Sequence, residues 1–269
     1  MRSVHVEEIK CKTILNKCKM GFADYTLNAY LGCVFGCSYC YVPVMRARRG
    51  QIDEEQWGTW VQAKVNAPDV LRRQMLNVDS DARIAIGTAT DSWQPIEKKY
   101  EISRRILKEL AYYPNPIHVL TRSPLLIRDI DILTKIENLR VGVSLPTFDE
   151  QVRRAFEPMA PAIPGRVNLI KRLVAAGLRV RLFWCPILYG VHDNKSSVRD
   201  YLKRASELGV ERIVWDTLNY TDMLWKPHLT LLSDYRKSGV GRWQTSLSKD
   251  ELKREIIKCS REFNLNCGV

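Results

Sequence analysis

Short apolar runs alternate with longer amphipathic segments along most of the chain, and this alternation constrains the fold more than any other feature of the sequence. Each apolar run predicts a buried strand, and each amphipathic segment predicts a helix that leads to the next parallel strand. The predicted strands lie at residues 26–31, 58–65, 83–87, 117–121, 139–145, 180–184 and 212–215. The predicted helices lie at residues 69–76, 97–110, 127–136, 164–176, 196–208 and 251–263. The sequence therefore predicts an α/β fold.

The number of strand–helix units limits how far the sheet can close. About six units are present, and a TIM barrel needs eight to close. An open, partial (βα)6 barrel of TIM-like type is therefore expected. Because no Pro-, Gly- or Ser-rich linker divides the 269 residues, a single domain is expected over residues 1–269. Its core is expected at about 26–216, between an irregular amino-terminal lead-in and an irregular carboxy-terminal extension at 217–269.

Three cysteines follow the first predicted strand within eight residues. Cys33, Cys37 and Cys40 have the spacing C-x3-C-x2-C, and Tyr39 stands just before the last of them. Three thiolates on one short loop can hold three irons of a 4Fe-4S cluster and leave the fourth iron open to a small molecule. The alternatives are a zinc site or incidental buried thiols. Zinc usually takes paired C-x2-C ligands, and no second pair lies nearby, so the motif favours the cluster.

This cysteine motif, with its aromatic residue before the third cysteine, resembles the signature of the radical S-adenosylmethionine (SAM) superfamily. The resemblance implies a partial barrel, a 4Fe-4S cluster and SAM bound to the open iron through its amino and carboxylate groups. In that superfamily an electron from the reduced cluster cleaves SAM to methionine and a 5′-deoxyadenosyl radical. It also implies a reductant such as ferredoxin or flavodoxin as a partner.

Five further blocks are similar to motifs of a narrower group, the spore photoproduct lyase-like radical SAM proteins, often labelled DNA repair photolyases. The blocks are GTATDSWQPIE, VLTRSPLLIRDIDIL, VGVSLPT, FEPMAPAIPGRV and CPILYGVHD, and the resemblance runs from about Lys12 to Asp193. It implies SAM contacts from the following side chains: Tyr39, Thr90, Asp91, Arg122 and Ser144. Hydroxyl and carboxylate groups suit the ribose and ammonium of SAM, and a cation suits its carboxylate. The lyases carry Lys where this chain has Arg122. The alternative is that Asp91 and Ser144 are cap or turn residues.

One departure from the lyases concerns the hydrogen donor. Spore photoproduct lyases carry, at the position of Thr88, a cysteine that returns a hydrogen atom to the product radical. A threonine O–H bond is too strong for that role, so the resemblance does not extend to spore photoproduct lyase activity itself. Cys185, at the end of a predicted strand, and Tyr41, beside the cysteine motif, are the candidate catalytic residues instead. The alternative for Cys185 is a buried structural thiol.

The net charge of +12 and the pI near 9.4 fit a polyanionic partner such as DNA or RNA, although a solvated cationic surface would give the same values. No run of about 18 apolar residues and no signal-peptide pattern is present, which predicts a cytoplasmic protein without membrane association. Eight cysteines fit a reducing compartment. The leading hypothesis is a radical SAM enzyme that abstracts hydrogen from DNA or RNA in repair or modification. The alternatives are modification of a protein or small metabolite, and a non-enzymatic iron–sulfur or zinc protein that binds nucleic acid.

The remaining polar and aromatic side chains have structural interpretations. Glu97 is expected to cap a helix, and Glu157 is expected to pair with Arg166. The histidines lack metal-like spacing and are expected in the core or on the surface: His5, His118, His192 and His228. Three tryptophans could stack on bases but are expected to pack in the core: Trp215, Trp225 and Trp243. Four cysteines near the two chain ends could bind a second metal site but are expected to be separate thiols: Cys11, Cys18, Cys259 and Cys267.

Overall fold

The computed structural model describes residues 4–19, 21–50, 56–188, 190–218 and 247–268. Its strands are β1 His5–Ile9, β2 Leu15–Lys17, β3 Tyr25–Leu27, β4 Tyr30–Leu31, β5 Trp60–Lys64, β6 Ile84–Ile86, β7 Ile117–Thr121, β8 Leu139–Ser144, β9 Val180–Ile187, β10 Arg212–Thr217 and β11 Cys267–Gly268. Its helices are α1 Tyr41–Ala47, α2 Ala67–Met75, α3 Glu97–Tyr100, α4 Ile102–Leu110, α5 Ile130–Leu133, α6 Glu150–Phe156, α7 Ile163–Ala175, α8 Lys195–Ser206 and α9 Lys249–Glu262. Within these ranges no helix combines the length and the apolar character that a membrane crossing requires.

The main sheet has eight strands in the order β11-β10-β9-β8-β7-β6-β3-β2. Six neighbours, β3 and β6 to β10, are all parallel, and the chain visits them in order through helical connections. Strand β2 adds an antiparallel edge next to β3, and β11 adds a short parallel edge next to β10. Among the described residues the sheet stays open between these two edges. The predicted α/β class with a mainly parallel, six-unit sheet is confirmed.

The two faces of the parallel strands differ in burial because successive side chains of a strand point to opposite sides. One face is fully buried and shares a single core with the helices, as shown by Val119, Val141 and Leu182 packing in the same cluster as Leu107 and Leu173. On the opposite face, Ala85, Gly142 and Ser144 are buried, and most of the other side chains are only half-buried. We call it the inner face, and it carries His118, Leu120, Arg140, Arg181, Phe183 and Arg212.

A second sheet has three strands in the order β1-β5-β4. Its strand pairing shows that two of the strand predictions are wrong. The predicted strand 58–65 forms β5 but pairs with β1 and β4, not with the barrel strands. The predicted strand 26–31 divides into β3 and β4, one in each sheet. Asn28 lies at the division, where its side chain accepts a bond from the Ala89 amide (2.9 Å) and donates to Thr88 Oγ1 (3.3 Å).

The amino-terminal lead-in was predicted to be irregular. This prediction is wrong, because the segment contains β1 and β2. Strand β1 is mostly exposed, so it lacks the apolar pattern that announces a strand. At the other end, the predicted helix 251–263 is present as α9. The rest of the predicted irregular extension, residues 219–246, lies outside the described residues, and with it Trp225, His228 and Trp243.

The helix predicted at 97–110 is divided in two at Glu101, which has a left-handed backbone with φ +49°. The Glu97 carboxylate accepts bonds from the Ser103 and Arg104 amides (3.0 and 3.1 Å) and so caps α4, the second of the two helices. The predicted helix 127–136 is a 3-10 helix, Pro124–Asp129, followed by α5. Helices α1 and α6 were not predicted.

Candidate active site around the cysteine loop

The three motif cysteines lie on the loop between β4 and α1. Cys33 and Cys37 are buried, and Cys40 is half-buried at the amino-terminal cap of α1. A bond from the Cys40 amide to the Cys37 carbonyl oxygen (3.1 Å) closes the turn between them. Burial, together with the nearby Cys33, raises the pKa of the Cys40 thiol to about 12. Burial and the charges of Cys33 and Cys40 also raise the pKa of Cys37. The three thiols are therefore close enough to oppose one another's ionisation.

A positively charged metal group is the partner that such thiols fit, because it stabilises the thiolate form that burial disfavours. Among the described residues no three His, Cys, Asp or Glu side chains converge on one point in the way that a single metal ion requires. An iron–sulfur cluster binds each thiolate to a different iron, so its ligands do not need to converge. The three-cysteine donor set consequently fits a cluster better than zinc.

Two buried polar side chains from the loop after β6 hold the cysteine loop in place. Thr90 Oγ1 donates to the Gly32 carbonyl oxygen (2.5 Å), and Gln94 Oε1 accepts a bond from the Val34 amide (3.0 Å). Gln94 Nε2 also donates to Thr90 Oγ1 (3.1 Å). Thr90 was predicted to contact SAM, and the structure shows it bound to the cysteine loop. Gln94 follows the same predicted strand end but was not among the predicted site residues.

The cysteine loop also contacts the small sheet at Gly32. This residue has φ +78°, and a Cβ there would overlap with the carbonyl oxygen of Trp60 on β5. Only glycine combines this backbone conformation with so close an approach. The loop is thus fixed between the end of the main sheet and the second sheet.

Arg122, just past the end of β7, lies against the cysteine loop. Its Nη1 donates to Cys37 Sγ (2.8 Å), Glu157 Oε1 (2.6 Å) and the Tyr39 hydroxyl oxygen (3.2 Å). Glu157 also accepts a bond from Tyr39 and pairs with buried Arg166 (2.5 Å), as the sequence predicted. Burial alone would raise the pKa of Glu157, but Arg122 and Arg166 hold it below its ordinary value. Glu157 was predicted only to pair structurally with Arg166. Its carboxylate also binds Arg122 and Tyr39 beside the cysteine loop.

Asp91 holds the backbone that carries Arg122. Its Oδ2 accepts a bond from the Arg122 amide (2.8 Å), and its Oδ1 accepts from Thr121 Oγ1 (2.7 Å) and the Trp93 amide (2.9 Å). The Asp91 carboxylate therefore accepts hydrogen bonds from three donors within the protein. The structure gives Asp91 a positioning role, and its contact with SAM stays a prediction.

Of the remaining predicted residues, Ser144 and Cys185 lie at or near the carboxyl ends of β8 and β9, and Tyr41 is the first residue of α1. Ser144 ends β8, and its carbonyl oxygen accepts a bond from Arg166 Nη1 (3.3 Å). Cys185 lies near the end of β9, where its thiol donates to the Val214 carbonyl oxygen (3.5 Å). Burial raises the pKa of Cys185 to about 12, so the thiol keeps its hydrogen at neutral pH. The Tyr41 hydroxyl donates to the Thr88 carbonyl oxygen (2.7 Å) and joins α1 to the loop after β6.

Other predicted residues take structural places. Trp215 is buried in the core, and His118 lies within β7. Four other cysteines are free thiols, and their interpretation as separate thiols stays a prediction: Cys11, Cys18, Cys259 and Cys267.

A comparison with known protein families matches the Radical SAM superfamily over residues 27–217, from β3 to the end of β10. The chain belongs to this superfamily. The cofactors of radical SAM enzymes, a 4Fe-4S cluster and SAM, are those predicted from the cysteine motif, and that prediction is confirmed. The match begins before the cysteine loop and covers every strand that delivers a predicted site residue.

Curated relatives of this chain are uncharacterised proteins from several organisms and a virus. An uncharacterised protein of Methanocaldococcus jannaschii is 28% identical over 85% of this chain and 79% of its own length. One from Mycobacterium bovis is 28% identical over 86% of this chain and 72% of its own length. One from Acidianus two-tailed virus is 24% identical over 74% of this chain and 68% of its own length.

Solved structures confirm the resemblance to spore photoproduct lyase at the level of the fold. A variant of that lyase superposes with a TM-score of 0.71 at 15% identity, over 97% of this chain and 80% of the lyase. A complex of the lyase with AdoMet and a dinucleoside spore photoproduct gives 0.68 at 15% identity over the same shares. SuiB of Streptococcus suis bound to S-adenosylmethionine gives 0.56 at 13% identity, over 90% of this chain and 49% of SuiB.

Proposed function

We propose that this radical SAM enzyme abstracts a hydrogen atom from a nucleotide of DNA or RNA, in repair or modification. The observation that supports a catalytic site most directly is Arg122, held between Glu157 and Asp91 with its guanidinium 2.8 Å from Cys37 Sγ. The net charge of +12 supports a polyanionic substrate. The fold shared with a lyase solved in complex with a dinucleoside lesion supports the same substrate class.

The proposed roles follow from the positions of the side chains. Cys33, Cys37 and Cys40 hold the cluster, which with SAM supplies a 5′-deoxyadenosyl radical when both are bound. Arg122 uses Nη1 for its protein contacts, and its other guanidinium donors would orient the SAM carboxylate. Ser144 completes the proposed SAM site at the adjacent strand end.

Four further site residues have roles in this proposal. Tyr39 and Thr90 hold the cysteine loop beside SAM, and Asp91 positions Arg122. Cys185 is the proposed hydrogen donor, because its protonated thiol lies at the substrate end of the strands and Thr88 cannot serve. Tyr41 is a proposed relay beside the cysteine loop. The enzyme would act in the cytoplasm with ferredoxin or flavodoxin as reductant.

The first test follows SAM cleavage. The protein is purified without oxygen, loaded with iron and sulfide, and given SAM and dithionite, and 5′-deoxyadenosine is measured. We expect product from the wild type and a loss of more than a hundredfold in Cys37→Ala, because the cluster then lacks a ligand. Cys259→Ala, on α9, is the matched control and should keep full activity. No product from a preparation with a verified reducible 4Fe-4S cluster would contradict the catalytic assignment.

The substrate class is tested in the same assay. The assay contains unlabelled SAM and one deuterated candidate substrate at a time. The candidates are single-stranded DNA, duplex DNA, RNA, a mixed peptide pool and a metabolite pool. Deuterium in 5′-deoxyadenosine from a nucleic acid would support the proposal. Deuterium only from the peptide or metabolite pool would instead support the alternative substrates.

A further inference from the structure

The inner face of the main sheet carries a group of arginines on three neighbouring strands. Arg181 on β9 lies directly opposite Arg212 on β10 in the parallel register. Arg140 on β8 lies two residues before Gly142, which is the residue opposite Arg181. Because all three occupy alternate, half-buried positions, their side chains leave the sheet on the same side. We call these three residues the arginine group.

The arginine group is separate from the cysteine loop. Arg181 precedes Cys185 by four residues on one strand, a separation of about 13 Å along the sheet. The cysteine loop and Arg122 lie at the carboxyl ends of the strands, whereas the arginine group lies toward their amino ends. The group therefore has no direct contact with the site proposed above.

Neutralising partners for these arginines are few. Glu211 is shared between Arg179 (3.3 Å) and Arg181 (3.7 Å). Arg140 and Arg212 have no ion pair within the part of the chain that the structure describes. The Arg212 guanidinium lies across β11, because a Cβ at Gly268 would overlap with it. The Nε atoms of Arg140 and Arg212 are buried without a hydrogen-bond partner among the described residues, and the buried Nε of Arg181 lies 3.7 Å from Glu211 Oε2, which is beyond hydrogen-bond distance.

The nearby titratable groups respond to this positive charge. Burial and the charges of Arg181, Arg140 and Arg83 lower the pKa of His118 to about 4, so His118 is neutral at physiological pH. Burial and Arg140 lower the pKa of Arg181 from its ordinary value, and Glu211 only partly opposes this. Arg83 is already paired with Asp24 (3.1 Å) and adds little free charge. On the inner face, Arg140 and Arg212 are thus the arginines without an ion pair among the described residues, and Arg181 shares its one acidic partner with Arg179.

We propose that Arg140, Arg181 and Arg212 bind an oxyanion of the phosphate class, either a free phosphate compound or a phosphate of a nucleic-acid backbone. Buried polar groups are normally hydrogen-bonded, and the unpartnered Nε–H donors of Arg140 and Arg212, beside the long contact of Arg181 with Glu211, indicate a bound acceptor. Guanidinium groups match phosphate oxygens with paired N–H bonds. Neutral His118 would add a hydrogen bond without requiring protonation. This site goes beyond the catalytic proposal and does not depend on it.

The test measures melting temperature against phosphate concentration at constant ionic strength, with chloride as the replaced anion. We expect inorganic phosphate to raise the melting temperature of the wild type, and Arg140→Gln or Arg212→Gln to remove more than half of that rise. Arg73→Gln, an exposed residue on α2, makes the same charge change elsewhere and should keep the full rise. Because the two test residues lie on different strands, either variant suffices if the other does not fold.

A second measurement separates the two sources of phosphate. Fluorescence anisotropy with a labelled single-stranded oligonucleotide gives Kd for the same variants. A loss of about tenfold in Arg140→Gln, with less than twofold in Arg73→Gln, would assign the site to a nucleic-acid backbone, since one charged hydrogen bond accounts for that factor. Loss of the phosphate effect with unchanged oligonucleotide Kd would assign it to a free phosphate compound. If neither the phosphate rise nor Kd distinguishes the arginine variants from Arg73→Gln, the proposed site does not exist. Neither measurement uses SAM cleavage, so failure here is distinct from failure of the catalytic proposal.

Discussion

At the scale of single residues, Glu157 connects the fold to the candidate active site. Its two carboxylate oxygens separate the positive charges of Arg122 and Arg166, one of them beside the cysteine loop and the other fully buried. Tyr39 of the cysteine motif donates to the same carboxylate. One acidic side chain thus fixes a cation, a core arginine and the motif tyrosine together.

Glu157→Gln should destabilise the protein substantially, because it leaves two guanidinium groups facing a neutral amide in a buried environment. Removing one partner of a buried ion pair costs about 3–5 kcal/mol, and we expect about 3 kcal/mol because the amide oxygen can still accept one bond. Urea unfolding followed by circular dichroism measures the change.

The matched control is Asp200→Asn on α8, which removes an exposed i,i+4 pair with Arg204 at 4.0 Å and should cost less than about 0.5 kcal/mol.

The effect of Glu157→Gln should also depend on pH. Because the folded pKa of Glu157 lies below its ordinary value of about 4.3, the wild-type advantage is complete above that value and shrinks as pH falls through the folded pKa. An advantage that stays constant down to about pH 2 would show that packing, not charge, stabilises this position.

At the scale of elements, the division between α3 and α4 occurs at a residue that the sequence does not mark. Glu101 adopts φ +49° and ψ +28°, a conformation that costs a residue with a Cβ roughly 1 kcal/mol. No glycine or proline stands there, so the fourfold spacing of Ile102, Ile106 and Leu110 predicts a helix with no sign of a break at Glu101. The four donors that converge on buried Glu97 impose the break: the Tyr30 hydroxyl, the Ser103 and Arg104 amides, and Arg128.

Substitution at Glu101 should therefore reverse the usual order of helix propensities. Glu101→Gly should be more stable than Glu101→Ala by about 1 kcal/mol, since both lose the exposed contact with Arg128 and only glycine relieves the left-handed backbone. At Lys171, which is exposed within α7, the free energy of unfolding of the Ala variant should exceed that of the Gly variant by about 1 kcal/mol. Thermal unfolding of the four variants measures both differences, and the same order at both positions would contradict the conformation of Glu101.

The elements that could be predicted are those with an apolar period. The barrel strands and α4, α7, α8 and α9 repeat apolar residues at regular spacing because they bury one face in the shared core. Strand β1 and helix α6 could not be predicted in this way, since β1 is largely exposed and α6 is a single short segment capped by Asp149. The candidate site was predicted as far as its cysteines and strand ends. The role of Glu157 was not, because its partners Tyr39 and Arg122 are 118 and 35 residues away in the chain.

At the scale of the whole molecule, positive charge is the property that most directly bears on the substrate. The chain has 42 Lys and Arg residues against 30 Asp and Glu residues, which gives the net charge of +12. Such an excess attracts nucleic acids without regard to sequence and releases their counterions on binding.

A nucleic-acid substrate should therefore bind with a strong dependence on salt. For about five phosphate contacts with a single strand, Kd should rise by about a hundredfold between 50 and 200 mM salt. Anisotropy titration of a labelled oligonucleotide measures this change, and an uncharged methylphosphonate strand of the same sequence is the control. A change of less than threefold would indicate that phosphates contribute little to binding and would favour the protein or metabolite alternatives.

The cysteine loop also has a consequence for the order in which the enzyme is made. The Ser38 amide binds the Phe156 carbonyl oxygen, and Tyr39 binds Glu157, so the loop is complete only when segments more than a hundred residues later have folded against it. A nascent chain on the ribosome carries its three thiols long before these contacts exist. We therefore expect the thiol site to be fully formed only after the segment at the end of α6 has been made and has packed against the loop.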